Sequence, residues 1–284
     1  MSNGKQQDVI VCVPRKLPRD LLEAAADIAT DINPVNHPPL ERLAGLLPDF
    51  APTREYIAVL TTKYWQSGGV ELTVGFLDGP PADLQARILQ HMNAWGTAAN
   101  VKFVATAHDP QVRIARTSGD GYWSFLGTDV LSIDHDKPTM NLQAFTMKTP
   151  ESEFHRVVRH ETGHTMGFPH EHMRRELVNL IDPKKATAFF SATQGWNAEQ
   201  VRLQVLTPIE ESSLLGTAHA DPNSIMCYQI PGSITKNGKP IAGGLDIDKS
   251  DYEFAAKVYP KPGKPVAPKK KALRERELTS ARSR

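Results

Sequence analysis

Five of the ten histidines in this 284-residue chain fall between His155 and His172. At their centre stands His160-Glu161-Thr162-Gly163-His164, followed by Thr165-Met166-Gly167-Phe168-Pro169-His170. On a helix, His160 and His164 lie one turn apart and project from one face. Two imidazoles so placed can hold one Zn²⁺ ion. Glu161, beside the first histidine, can reach a metal-bound water without being a ligand. Gly167 lets the chain leave the helix in a left-handed turn, which returns His170 as a third ligand. Three neutral nitrogens leave the ion its full charge and an open position, the arrangement of a catalytic zinc site. The bare His-Glu-x-x-His pattern arises by chance in solvated helices; the glycine and third histidine at these offsets make it far more specific.

The run HETGHTMGFPHEH resembles the astacin family pattern H-E-x-x-H-x-x-G-F-x-H-E, within the metzincin clan. Downstream, Ser224-Ile225-Met226-Cys227-Tyr228 resembles the family's Met-turn, with Cys227 in place of its histidine. The resemblance implies that Met226 forms the apolar base under the zinc. It implies that Tyr228 stabilises the transition state. It places Arg174 where the family carries an arginine. It also implies that Glu171 meets a new N-terminal ammonium once a pro-segment is removed. The similarity runs over roughly Thr61–Pro260, more weakly through Lys63–Leu77 and Gly121–Thr128; the family's cysteines and signal peptide are absent. The fold implied is α+β, of metzincin type. A twisted mixed sheet and two main helices form the N-terminal half, an irregular C-terminal half follows, and the zinc cleft lies between them. Substrate would add as a strand to an edge within Tyr122–Ile133.

The elements that must position these groups are readable from periodicity. Glu71–Leu77, Val101–Ala105, Gln111–Arg116, Asp129–Ile133 and Thr139–Leu142 read as a set of four to five short strands, and Gly121–Leu126 carries Tyr122, Trp123 and Phe125. Asp83–Trp95 places Leu84, Ile88, Leu89, Met92 and Trp95 on one helical face. Glu151–Met166 reads as the helix that carries the first two histidines, opened by Pro150 and acids in its first turn. Beyond Pro169, Asn197–Leu203 and Lys249–Val258 are the helical candidates. Ahead of the matched core, Asp8–Val13 reads as a strand and Asp20–Ile32 as a helix. A breaker-rich Asn33–Pro39 and a short helix over Leu40–Leu47 follow. Three units result: a pro-like or capping segment over residues 1–57, a catalytic domain over 58–260, and a basic tail over 261–284, read as disordered.

Hydrophobic residues make up 40% and charged residues 23%, an ordinary globular balance. No apolar run approaches the ~18 residues of a membrane span. The N-terminus has no apolar signal-peptide core, which points to a cytoplasmic protein or one exported by a non-Sec route. Two cysteines make no disulfide framework. The net charge of +1 hides an asymmetry: residues 261–284 carry nine Lys/Arg against two Glu, so the body is mildly acidic and the tail basic. A solvated flexible end explains that tail, with no nucleic-acid partner expected.

The expected activity is that of a monomeric zinc endopeptidase with one catalytic ion, Glu161 as general base, Tyr228 at the oxyanion, and a protein or peptide as substrate. The alternative is a catalytically silent, zinc-containing peptide-binding module, against which the retained Glu161 argues. Residues 1–57 are open to two readings. Met1–Pro52 covers the cleft and is removed by cleavage within Phe50–Tyr64, or the segment is a permanent cap. Glu171 needs a cationic partner, either a new N-terminus or an internal arginine, Arg174 or Arg175. Cys12 and Cys227 read as free thiols; in a latent form Cys12 could ligate the zinc as a thiol switch.

Overall fold

The computed structural model describes residues 12, 15–40, 53–208 and 219–263. Most of the expected helix over Leu40–Leu47, most of the strand over Asp8–Val13, and the tail from residue 264 lie outside them.

Among the described residues, α-helices over Leu22–Ile32 and Arg54–Leu60 precede the sheet. Helix α1 (Leu22–Ile32) buries Ala25, Ala26 and Ala29. Its end is set by Asn33, whose side chain accepts from the Val35 backbone N–H before Pro34. Helix α2 (Arg54–Leu60) is capped by Thr53. The segment boundary read at residue 57 falls inside it.

Five strands follow: β1 (Val70–Phe76), β2 (Val101–Ala105), β3 (Val112–Ala115), β4 (Tyr122–Ser124) and β5 (Met140–Leu142). They form one sheet in the order β2-β1-β3-β5-β4, parallel throughout except that β4 runs antiparallel to β5 at the edge. A parallel sheet must be covered on both faces, and β3 is buried at every position. Its Arg113 survives there by donating to the carbonyls of Lys137 and Ile133 at 2.8 and 2.9 Å.

The expected strand over Asp129–Ile133 is instead a 3-10 helix, Gly127–Ser132. Gly127 adopts φ +49°, and a Cβ there would overlap the Lys63 carbonyl oxygen. The chain turns away from the sheet at that point, and Asp129 is drawn in toward the Lys63 ammonium at 3.4 Å. Of the edge expected over Tyr122–Ile133, Tyr122–Ser124 is strand, at the β4 side of the sheet.

Helix α3 (Ala82–Met92) buries Leu84, Ile88, His91 and Met92. It packs near the long helical run that starts at Glu151. That run comprises an α-turn over Glu151–Glu153, a π-turn over Phe154–Val158, and helix α4 (Arg159–Thr165). A single π-turn inside an α-helix is characteristic of functional sites. The C-terminal half holds α5 (Arg175–Val178), α6 (Pro183–Gln194), α7 (Ala198–Val201) with a π-turn over Arg202–Leu206, and α8 (Lys249–Val258). Helix α6 had no counterpart in the periodicity reading. Its start is nonetheless signalled by Asp182-Pro183, an N-cap before a first-turn proline, and its end by Gly195 at φ +67°. Two apolar clusters result. One lies around the sheet and α4; the other lies around Phe190, Trp196 and Val205, reaching Tyr228 and Cys12. No helix among the described residues is long and apolar enough to cross a membrane.

Candidate active site

Helix α4 presents His160 and His164 from one face, and the turn at Gly167 (φ +92°) returns His170 to them. The Nε2 atoms of His160 and His164 lie 3.1 and 3.0 Å from Nε2 of His170. The outer nitrogens fix this orientation. Nδ1–H of His160 donates to the Ile225 carbonyl at 2.6 Å, and Nδ1–H of His164 to the Phe168 carbonyl at 2.8 Å. Both inner nitrogens are therefore bare acceptors aimed at one point, a donor set that fits a divalent zinc-type ion and not a hydrogen-bond network. Burial holds all three rings neutral. His160 is brought down to about 4, and His164 and His170 lie well below the usual imidazole range, with mutual repulsion adding to burial. A neutral imidazole is the ligand form.

Two distant side chains hold the helix end, and a third holds its start. Its last carbonyls have no intrahelical partner. The Trp65 indole donates to the Thr165 carbonyl at 2.8 Å, and the Tyr259 hydroxyl to that of Met166 at 2.6 Å. The Trp95 indole donates to the Arg159 carbonyl at 2.8 Å, next to the π-turn. Sequence reasoning placed Trp95 in the core and missed the other two. Their signal is only that tryptophan and tyrosine carry a polar tip that must find a partner when buried.

Met226 packs against Gly163 of α4, between the two helix histidines in sequence. Gly163 is the reason it fits: a Cβ there would overlap the Met226 sulfur and press on Trp95. The turn is tied by Asp251, which accepts from the Ser224 hydroxyl at 2.6 Å and the Ile225 N–H at 2.9 Å. Sequence reading did not single out Asp251.

Glu161 is buried beside His160, and burial raises its carboxyl to about 8. Its Oε2 accepts from the Cys12 thiol at 3.3 Å. Cys12 Sγ and one nitrogen of each of His160, His164 and His170 all lie within 4.8 Å of one another. Burial, with Glu161 second, raises the Cys12 thiol well above its usual range. Cys12 also pairs in parallel with Tyr122 on the free edge β4. Cys12 thus lies on the edge expected to take substrate.

Tyr228 is buried, and its hydroxyl donates to the Cys12 carbonyl. Its ring stacks on His172 at 3.9 Å and 18° and lies 4.3 Å from His170. His172 Nε2–H donates to the Gln204 carbonyl at 3.0 Å. Glu171 is held by its internal cation: Arg174 approaches at 3.6 Å, and the Asp221 N–H donates at 3.1 Å. Burial still raises the Glu171 carboxyl. Cys227 is a buried free thiol.

A cavity of about 420 Å³ opens beside His164 and His170. The N-terminal segment lines it with Leu17 and Leu22, and the catalytic domain with Ala58, Leu126, Pro169 and Met173. The segment is clamped at its far end. The buried side chain of Asn36 donates to the carbonyls of Ala29 and Tyr64 at 2.7 Å and accepts from the Tyr64 N–H at 2.8 Å and the Thr62 hydroxyl at 2.9 Å. Asn33 donates to the Trp65 carbonyl at 2.7 Å.

Comparison with known proteins agrees with this geometry. Residues 60–231 match the family model for the astacin peptidases. The chain is 31% identical to a solved structure of myroilysin, covering 70% of this chain and 96% of that one, with a TM-score of 0.66. A second myroilysin crystal structure matches at 32% identity over 70% of this chain and 86% of that one, with a TM-score of 0.54. The zinc metalloproteinase nas-27 of Caenorhabditis elegans is 32% identical over 102 residues, which are 36% of this chain but only 22% of that protein. The fold is α+β with a five-stranded mixed sheet, and the chain belongs to the astacin family of zinc metallopeptidases.

Proposed function

We propose that the chain is a zinc-dependent endopeptidase whose residues 1–57 hold the site latent, with residues 58–260 as its catalytic domain. The observation that carries this reading is the buried Glu161 carboxylate beside three converging imidazoles, plugged by Cys12. His160, His164 and His170 would hold one zinc ion, with the Cys12 sulfur as a further donor in the closed form. Zinc, when bound, supplies Lewis-acid chemistry, acidifying water and polarising a peptide carbonyl.

The protein's own groups do the rest. Once Cys12 withdraws, Glu161 Oε2 loses its thiol donor and faces the space that the thiol filled. There it takes a proton from the attacking water and hands it to the leaving amine. Withdrawal of residue 12 also frees the Tyr228 hydroxyl, which then donates to the developing oxyanion. The His172 ring and the His170 face limit where the Tyr228 ring can move. Tyr122–Ser124, vacated by the segment, offers its main-chain groups to an extended peptide. Glu171, satisfied by Arg174 and the Asp221 N–H, supports the turn after His170; a new N-terminus is not needed to neutralise it.

The test is an N-terminomic cleavage profile of the wild-type chain against Glu161→Gln, with intact mass measured in parallel. New termini in both, or in neither, would remove the assigned base. An uncleaved chain that is fully active, with a rate unchanged by Cys12→Ala, would remove latency and leave residues 1–57 as a permanent cap.

A further inference from the structure

A second group of metal-ligating side chains lies away from the zinc helix face. His91 ends α3, Glu151 opens the run that leads into α4, and His155 stands one turn after Glu151 in the π-turn. Glu151 Oε1 lies 3.2 Å from Nε2 of His91 and 3.4 Å from Nε2 of His155. All three atoms fall within 4.8 Å of one another. A tetrahedral zinc site with ~2.0–2.1 Å bonds sets its ligand atoms about 3.3 Å apart. Both contacts match that edge, as do the 3.0 and 3.1 Å contacts among the three active-site histidines.

The outer contacts follow the same logic as at the active site. Nδ1–H of His155 donates to Asp246 Oδ2 at 2.7 Å, and Asp246 is itself held by Arg159 at 2.5 Å. A carboxylate behind a ligating histidine fixes its tautomer and raises its basicity. With Nδ1–H donated to Asp246, Nε2 of His155 faces a carboxylate oxygen, and a proton or a metal ion can lie between the two. Arg87 binds the other oxygen of Glu151 at 2.5 Å and leaves Oε1 free to ligate. Burial lowers His91 and Arg87 lowers Glu151, so one is neutral and the other ionised at neutral pH. The guanidinium of Arg159 is the competing group, at 3.4 Å from His91 Nδ1 and 3.5 Å from His155 Nε2. Both are long contacts. When His91 ligates through Nε2, its proton moves to Nδ1 and the Arg159 contact is given up, while Arg159 keeps Asp246.

We propose that His91, Glu151 and His155 form a second divalent-metal site of the zinc class, completed by water. Two nitrogens and one oxygen are donors that select zinc and its neighbours over calcium or magnesium. The ion would fasten the end of α3 to the first turns of the run that carries the catalytic set. The proposal does not depend on the function of the first site.

The experiment is metal counting on the tag-free, zinc-loaded full chain after equilibrium dialysis against buffered micromolar free zinc, with the melting temperature read alongside. Wild type is expected to hold two ions per chain and to melt higher as the second is taken up. Glu151→Gln and His155→Gln, both at accessible positions, should each hold one and lose the added stabilisation. His160→Ala with His164→Ala should keep the ion at the second site. A wild-type chain that takes up one ion only, or a second ion that persists in both Glu151→Gln and His155→Gln, overturns the proposal.

Discussion

The zinc face and the segment that covers it are built on different principles. The face is local: three histidines and a glutamate within eleven residues, on one helix and its exit turn, with every ring buried and two of them fixed by backbone carbonyls. The cover is long-range. Cys12 reaches Glu161 across 149 residues of sequence, and Tyr228 reaches back to Cys12 across 216. It is held by the Cys12 plug, by Arg15, which pairs with Asp120 and lies over the Trp123 ring, and by the Asn33 and Asn36 clamp, while Leu17 and Ala25 join the core cluster of the catalytic domain beside a 420 Å³ cavity. A site whose parts are preorganised by its own helix can outlive the loss of such a cover. The cover, by contrast, leaves only when its polar ties and the packing of Leu17 and Ala25 are broken together.

The largest expected effect lies on the face. Glu161→Gln should keep stoichiometric zinc and the fold yet lose at least ~10²-fold in kcat, the low end for a general base. Replacing His160, His164 and His170 together should remove the active-site metal and all activity; activity that survives would place the site elsewhere. Tyr228→Phe should lose less than Glu161→Gln. Next comes the plug. In the uncleaved chain, Cys12→Ala removes the thiol hydrogen bond to Glu161, worth about 0.5–1.5 kcal/mol, so the basal rate should rise roughly 2- to 10-fold. Once the segment has been removed, the same substitution should change nothing. An increase in the mature form as well would mean that Cys12 does not act as a plug.

The same contrast explains what could be read from sequence. Ligand spacing within one helical turn and a glycine at its exit are local signals, so His160, His164, His170 and the positive φ of Gly167 were all legible. Strands β1, β2, β3 and β5 and helices α3 and α8 were legible from periodicity. Asp129–Ile133 misled because an alternating pattern says nothing of a carbonyl packed against Gly127. Only the tertiary approach of Lys63 decides that turn. Trp65, Tyr259 and Asp251 were invisible for the same reason: each acts on a group far away in sequence. The nearness of Cys12 to Glu161 was no more than an option among thiol chemistries, because no local pattern fixes a contact over such a separation.

The clamp should yield a smaller effect than the plug on rate, and a larger one on the segment's release. Asn36 satisfies all four of its hydrogen-bonding positions in a fully buried place. Asn36→Ala strands the Tyr64 N–H and carbonyl there, at a cost of about 1–3 kcal/mol per group before relaxation. Limited proteolysis should then cut residues 1–57 faster than in wild type, while the mature enzyme keeps its kcat. An unchanged rate of cutting would move the hold on the segment to the Cys12 end alone.

The smallest expected effect concerns pH and the turn that carries Met226. Burial brings Asp251 up to about 6, and the hydrogen bonds from Ser224 and Ile225 offset only part of that. An acid raised in the folded state binds a proton there that the unfolded chain has already released. Folded chains therefore carry more protons between about pH 4 and pH 6, and this group's contribution to stability falls as pH rises through that window. At 1.36 kcal/mol per pKa unit, the loss is at most about 3 kcal/mol. Asp251→Asn cannot ionise, so its stability relative to wild type should improve from pH 4 to pH 7, whatever it loses at the Ser224 hydroxyl. Urea unfolding of both proteins in chelator at the two pH values reads this difference without a metal contribution. A gap that stays constant, or one that widens in favour of wild type at pH 7, would mean that Asp251 is ionised throughout and that its hydrogen bonds outweigh its burial.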